Sequence, residues 1–114
     1  MLNRIILIGR LATDPELKFT PSGVAVCSFR LAVNRPYAAQ PGQQEADFIT
    51  IKVWREQGER VANYMTKGRM VAVDGRLEIR TWTAQDGTKR SSAEVVAERV
   101  QFLERAPQHG DHPA

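Results

Sequence analysis

The stretch VAVCSFRLAVN, residues 24–34, restricts the fold more than any other part of the chain. Ala25, Cys27, Phe29, Leu31 and Val33 share one apolar face, while Ser28, Arg30 and Asn34 lie opposite. A strict period of two suits a strand with one face in a core, because successive side chains leave a strand on opposite sides. DFITIKVWR, residues 47–55, repeats the pattern with Ile49, Ile51 and Val53 as its inward set. Its other face carries Phe48, Thr50, Lys52 and Trp54, so two rings and a lysine stand where small polar residues are expected.

The remaining segments extend this into an all-β plan with one short helix. NRIILIGRLA, residues 3–12, reads as a strand in which Gly9 permits a bulge or bend, stopped near Asp14-Pro15. Ile5 and Leu7 point one way, Ile6 and Ile8 the other, so both faces want cover. A small barrel covers one of them, and a second subunit or a flanking helix would cover the other. TPSG at 20–23 is a turn, and residues 35–46, with two prolines and three glutamines, form a long mobile loop. A helix is expected at about 57–66, with Val61, Ala62 and Met65 on one side and Gly68 as its stop. The next strand, 69–82, has Gly75 as a bulge, with Val71, Val73, Leu77 and Ile79 inward and Arg76, Glu78, Arg80 and Trp82 on the other face. Asp86-Gly87 marks a hairpin turn, and SAEVVAERVQFLE, residues 92–104, returns as the last strand. This order, with glycine-marked bends, predicts a five-stranded Greek-key barrel of the OB type. It forms one domain over residues 1–105, followed by a flexible tail at 106–114.

Composition excludes more than it selects. At 114 residues there is room for one core, and 42% hydrophobic with 25% charged is the mix of an ordinary soluble domain. A formal charge of +3 and a pI near 9.4 mildly favour a polyanionic partner. The single Cys27 rules out an internal disulfide and a multi-cysteine metal site, and fits a buried small hydrophobe. No apolar run is long enough to span a membrane, and no leader precedes the first strand, so a cytoplasmic protein is expected. His109 and His112 fall in the expected tail, and there is no phosphate-binding loop or C-x-x-C pair. No catalytic constellation or cofactor site emerges, so the chain reads as a binding protein rather than an enzyme.

The positive signal is geometric. If the two ring-bearing strands are neighbours, Phe48, Trp54 and Trp82 tile one sheet face with Lys52, Arg76 and Arg80 among them. An aromatic stripe also suits a core or a subunit interface, but a buried interface rarely tolerates so many cations. Exposed rings with interleaved cations suit single-stranded nucleic acid, whose unpaired bases are free to stack while the cations neutralise phosphates.

Residues 2–104 resemble the bacterial single-stranded DNA-binding protein family in NRIILIGRLATDPELKFTPSGVAVCSFRLAVNRP, DFITIKVWR, VANYMTKG, VDGRLEIRTW and EVVAERVQFLE. The resemblance implies a homotetramer of OB domains around which single-stranded DNA wraps in replication, recombination and repair. It places the base-stacking rings on Tyr37, Phe48, Trp54 and Trp82, and the backbone-contacting cations on Lys18, Lys67, Arg80 and Arg90. Lys52 and Arg76 join from strand alternation, and Lys89 with Arg90 would extend the track across the hairpin turn. Glu56 and Glu78 stand where some members are basic, and Ser91 where an aromatic is common. The family commonly ends in an acidic tip that docks other proteins, whereas this sequence stops at QHGDHPA. That fits a truncated form or a short paralogue, such as those of competence systems, phages and mobile elements, without tail-mediated recruitment. The alternative within the same fold is a primosomal, replication-restart relative, a dimer that acts mainly as a protein-interaction module.

Overall fold

The computed structural model describes residues 2–36 and 45–103. Along the chain run β1 (Ile5–Leu11), β2 (Glu16–Phe19), β3 (Ala25–Asn34), β4 (Ala46–Trp54), α1 (Arg55–Tyr64), β5 (Met70–Thr83) and β6 (Lys89–Phe102). Five strands close a ring in the order β1–β3–β4–β6–β5 and back to β1. Only β4 and β6 run parallel; the other neighbours are antiparallel. This ring is the expected five-stranded Greek-key barrel of the OB type.

Two glycines make the closure possible. β1 leaves β5 and crosses to β3 at its end, pairing Arg10 with Ala32 and Leu11 with Leu31. At that crossing a Cβ on Gly9 would sit 2.3 Å from the Ala32 carbonyl oxygen. On β5, a Cβ on Gly75 would sit 2.1 Å from the Val96 carbonyl oxygen, and the β5–β6 register slips between Asp74 and Gly75. Both are sites where only a missing side chain lets two backbones approach.

The inward faces of β3, β4, β5 and β6 meet as alternation requires. Cys27, Phe29, Leu31, Ile51, Val53, Val71, Val73 and Val95 are all buried. Leu11, Ala97 and Val100, with Val61 and Met65 from α1 and its end, complete the cluster. Burial in this apolar cluster pushes the Cys27 thiol up to about 11, so it behaves as a small hydrophobe.

Several expectations shift. The first strand starts at Ile5, two residues later than expected, and the helix spans Arg55–Tyr64 rather than 57–66. Gly68 does not end the helix. Met65 does, and Gly68, at φ +93°, turns the connection so that its N–H donates to the Leu11 carbonyl. The short β2 was not foreseen: it lies on β3 outside the ring, with Leu17 opposite Cys27. Leu77 and Ile79 lie on the side of β5 expected, yet they are 40% and 59% exposed, because β1 starts only at Ile5, opposite Gly75, and, past Glu78, β5 and β6 run on as a two-stranded ribbon. Of the residues in the expected mobile loop, 37–44 lie outside the described residues, as does the expected tail. On β1, Ile5 and Leu7 pack on the core while Ile6 and Ile8 remain exposed. α1 packs against β2, β3, β4 and β6, so this helix does not cover them.

Candidate nucleic-acid interface

The strand registers place the outward residues of β3, β4, β6 and β5 in rows across one face. One row runs Lys18, Val26, Trp54, from β2 through β3 to β4. The next runs Ser28, Lys52, Val96, Arg76, and the next Arg30, Thr50, Glu94, Glu78. β4 pairs with β6 only over Thr50–Val53. Beyond Thr50 the face therefore splits into two arms, one the start of β4 with Phe48, the other the ribbon with Arg80 opposite Ser92 and Trp82 opposite Arg90. Along β4, Phe48 and Trp54 are six residues apart, roughly 20 Å of strand.

The three expected stacking rings among the described residues are open to solvent on this face: Phe48 at 55%, Trp54 at 41% and Trp82 at 46%. Each is fixed differently. Trp54 is the last residue of β4 and stands just before α1, where Arg55 at φ +65° swings the chain into the helix. A left-handed non-glycine residue is uncommon, and here it marks the abrupt exit from the strand. Phe48 lies under the Arg30 guanidinium, 5.8 Å from Cζ to the ring centroid, and Arg30 Nη2 donates to the Phe48 carbonyl at 3.3 Å. Trp82 stands near the end of the ribbon, directly opposite Arg90. Trp54 lines a cleft of about 270 Å³ with Val26, Lys52, Glu78, Arg80, Glu94 and Val96.

The family model and the curated relatives agree on one family for this chain. The model of the single-strand binding protein family matches residues 2–103. The chain is 56% identical over 110 residues to a single-stranded DNA-binding protein of Bacillus cereus, covering 96% of this chain and 64% of that protein. It is 58% identical over 104 residues to single-stranded DNA-binding protein 3 of Clostridium acetobutylicum, covering 90% and 72%. A similar protein of Oceanobacillus iheyensis is 54% identical over 110 residues, covering 96% and 68%. The chain belongs to the single-strand binding protein family. It spans about two thirds of the length of these relatives.

Against this family background, the placement of the cations is uneven. Lys18, Lys52, Arg76, Arg80 and Arg90 lie on the ring-bearing face or its ribbon extension. Lys89 pairs with Thr83, and being next in sequence to Arg90 it points to the other side of the ribbon. Lys67 is not on a strand of the face: it sits in the α1–β5 connection, its backbone N–H donating to Asp14 Oδ1 at 2.8 Å. Tyr37 lies outside the described residues.

The arginines are not bare, as the alternation alone implied. Arg76 donates through Nε and Nη2 to Glu78, at 3.1 and 2.9 Å, and lies 3.9 Å from Glu98. Arg80 lies 3.6 Å from Glu94, and Arg90 lies 3.6 Å from Asp86. Asp86 is held below the ordinary carboxylate value of 3.8 by the Thr88 hydroxyl first and the Thr88 amide second. Sequence reasoning also passed over Arg30 and Glu94. Alternation had put Arg30 on the outer face; its role beside Phe48 needs the β3–β4 register as well.

Proposed function

We propose that this chain binds single-stranded DNA without sequence preference and without catalysis, by stacking bases on Phe48, Trp54 and Trp82 and pairing phosphates with the cations between them. The observation that carries the reading is the exposure of three large rings on the outward side of the sheet and its two arms, while the barrel's own apolar cluster is buried. Its relatives carry the name of that activity. Each stacked base contributes roughly 1–3 kcal/mol, a magnitude drawn from single-strand binders that include this family. Lys18, Lys52, Arg76, Arg80 and Arg90 supply phosphate contacts on the face, and Lys67, Lys89 and Tyr37 serve strand segments that pass beyond it.

The OB domain of residues 1–105 is the binding unit, and it serves replication, recombination and repair in the bacterial cytoplasm and nucleoid. It assembles as a homotetramer; the exposed Ile6 and Ile8 on the outer side of β1 support an apolar contact between subunits. The test is titration with oligo-dT while tryptophan emission and light scattering are followed. Quenching of Trp54 and Trp82 emission, on a particle of four chains, is the expected result. Emission unchanged at saturating oligo-dT would sink the binding reading, and a stable dimer with weak binding would favour the protein-interaction module.

A further inference from the structure

The centre of the ring-bearing face holds carboxylates as well as cations, and the register puts them where phosphates would pass. Glu78 on β5 and Glu94 on β6 are directly opposite each other, which brings two like charges within about 5 Å between Cβ atoms. Each takes one of the face's arginines: Glu78 accepts two bonds from Arg76, and Glu94 lies 3.6 Å from Arg80. The Glu94 side chain is only 12% exposed and therefore lies at the floor of the face rather than above it. The cleft beside Trp54 thus contains Lys52 and Arg80 against Glu78 and Glu94, two cations and two anions. Its formal charge is zero, although its sequence neighbourhood reads as basic.

A phosphodiester that approaches Arg76 or Arg80 competes with the carboxylate already beside that guanidinium. A carboxylate that loses its guanidinium then faces the other carboxylate and the phosphate, with Lys52 as the remaining cation of the cleft. We propose that Glu78 and Glu94 act as a resident anion, occupying Arg76 and Arg80 until the DNA backbone displaces them and so holding affinity below what the rings and cations alone would give. This inference rests on the single-stranded DNA reading above. It makes the two glutamates affinity-setting residues of the same face: release of the strand is helped by carboxylates that recapture the arginines.

The test compares Glu78→Gln, Glu94→Gln and a control, Glu59→Gln, in oligo-dT titrations over a range of salt. Glu59 is exposed on α1, away from the face, so its variant reproduces the change in net charge alone. An exposed ion pair is worth little in water, so Glu78→Gln is expected to tighten binding by about two- to fivefold beyond the control. The slope of log affinity against log salt should steepen by about 0.7 for each arginine set free. Glu78 is half-exposed, so Glu78→Gln carries the test even if Glu94→Gln folds poorly, with an unchanged melting transition as the check. Variants that bind no tighter than the control, or more weakly, overturn the proposal while wild-type binding leaves the broader reading intact. A wild-type chain that ignores oligo-dT overturns both.

Discussion

In the first half of β5, Val71 and Val73 are fully buried, whereas Leu77 and Ile79, on the same side of the same strand, stand largely in solvent. The side-chain alternation does not change between the halves; the neighbours do. From Met70 to Gly75 the strand is flanked by β1 on one edge and β6 on the other, and the ring closes over its inner side. Past Gly75 β1 no longer flanks it, and past Glu78, where β6 parts from β4, the two strands run on alone as a ribbon. Pattern decides which way a side chain points, and only the third strand decides whether it is covered. The same division separates stability from binding, because the barrel half carries core and the ribbon half carries Arg80 and Trp82.

The sharpest way to break this comparison is to truncate one apolar side chain in each half. Val73→Ala should lower unfolding free energy by about 1.5–3 kcal/mol, since a fully buried valine loses its contacts and leaves a gap. Ile79→Ala, although it deletes more atoms, should stay within about 0.5 kcal/mol of wild type. Urea denaturation at a concentration where the chain is monomeric measures both. Comparable losses would mean that the underside of the ribbon is covered after all.

The second contrast is between rings, one rooted in the barrel and one carried on the ribbon. Trp54→Ala and Trp82→Ala should each weaken oligo-dT binding by about 1–3 kcal/mol, roughly 5- to 150-fold, with little effect on the salt slope. Arg80→Ala should act in the opposite sense, changing the slope more than affinity at high salt. Fluorescence anisotropy of a labelled oligo-dT at two salt concentrations separates these outcomes. If Trp82→Ala leaves affinity unchanged while Trp54→Ala does not, the ribbon is not part of the binding face.

Much of this could be read from residue order, and the failures share a cause. The alternation of β3 and β4 placed Phe48, Lys52 and Trp54 outward because a period of two is a local property. Gly75 and Asp86-Gly87 were legible for the same reason, since a bulge and a turn need particular residues at particular places. β2 was missed because ELKF, only four residues, has no pattern of its own and is held by its register with β3. The pairing of Arg80 with Glu94 was invisible because those residues are far apart in sequence and meet only through the β5–β6 register. Arg76 with Glu78 was within local reach, but side chains two apart on a strand had been counted as a shared face rather than as a bonded pair.

The smallest expected effect tests whether Trp82 depends on the hairpin tip or on the ribbon below it. At the tip, Asp86 Oδ1 accepts bonds from the Thr88 amide at 3.0 Å and the Thr88 hydroxyl at 2.6 Å. These bonds favour the carboxylate and lower its affinity for a proton below the ordinary value of 3.8. A carboxyl whose folded value is depressed adds stability that is complete above the unfolded value and is lost as pH falls through the folded one. The tip should therefore be unchanged between neutral pH and the ordinary carboxylate range, and loosen only below it. The amide cross-peak of Thr88 in an NMR pH titration reports this directly, and Asp86→Ala should shift the same peak at neutral pH. The indole cross-peak of Trp82 should stay in place through both perturbations, because that residue is held by its pairing with Arg90 along the ribbon. A Thr88 peak that titrates at or above the ordinary carboxylate value would contradict the bonding at the tip. A Trp82 peak that moves with it would show that the ring is positioned by the turn, and that ribbon and tip form one unit.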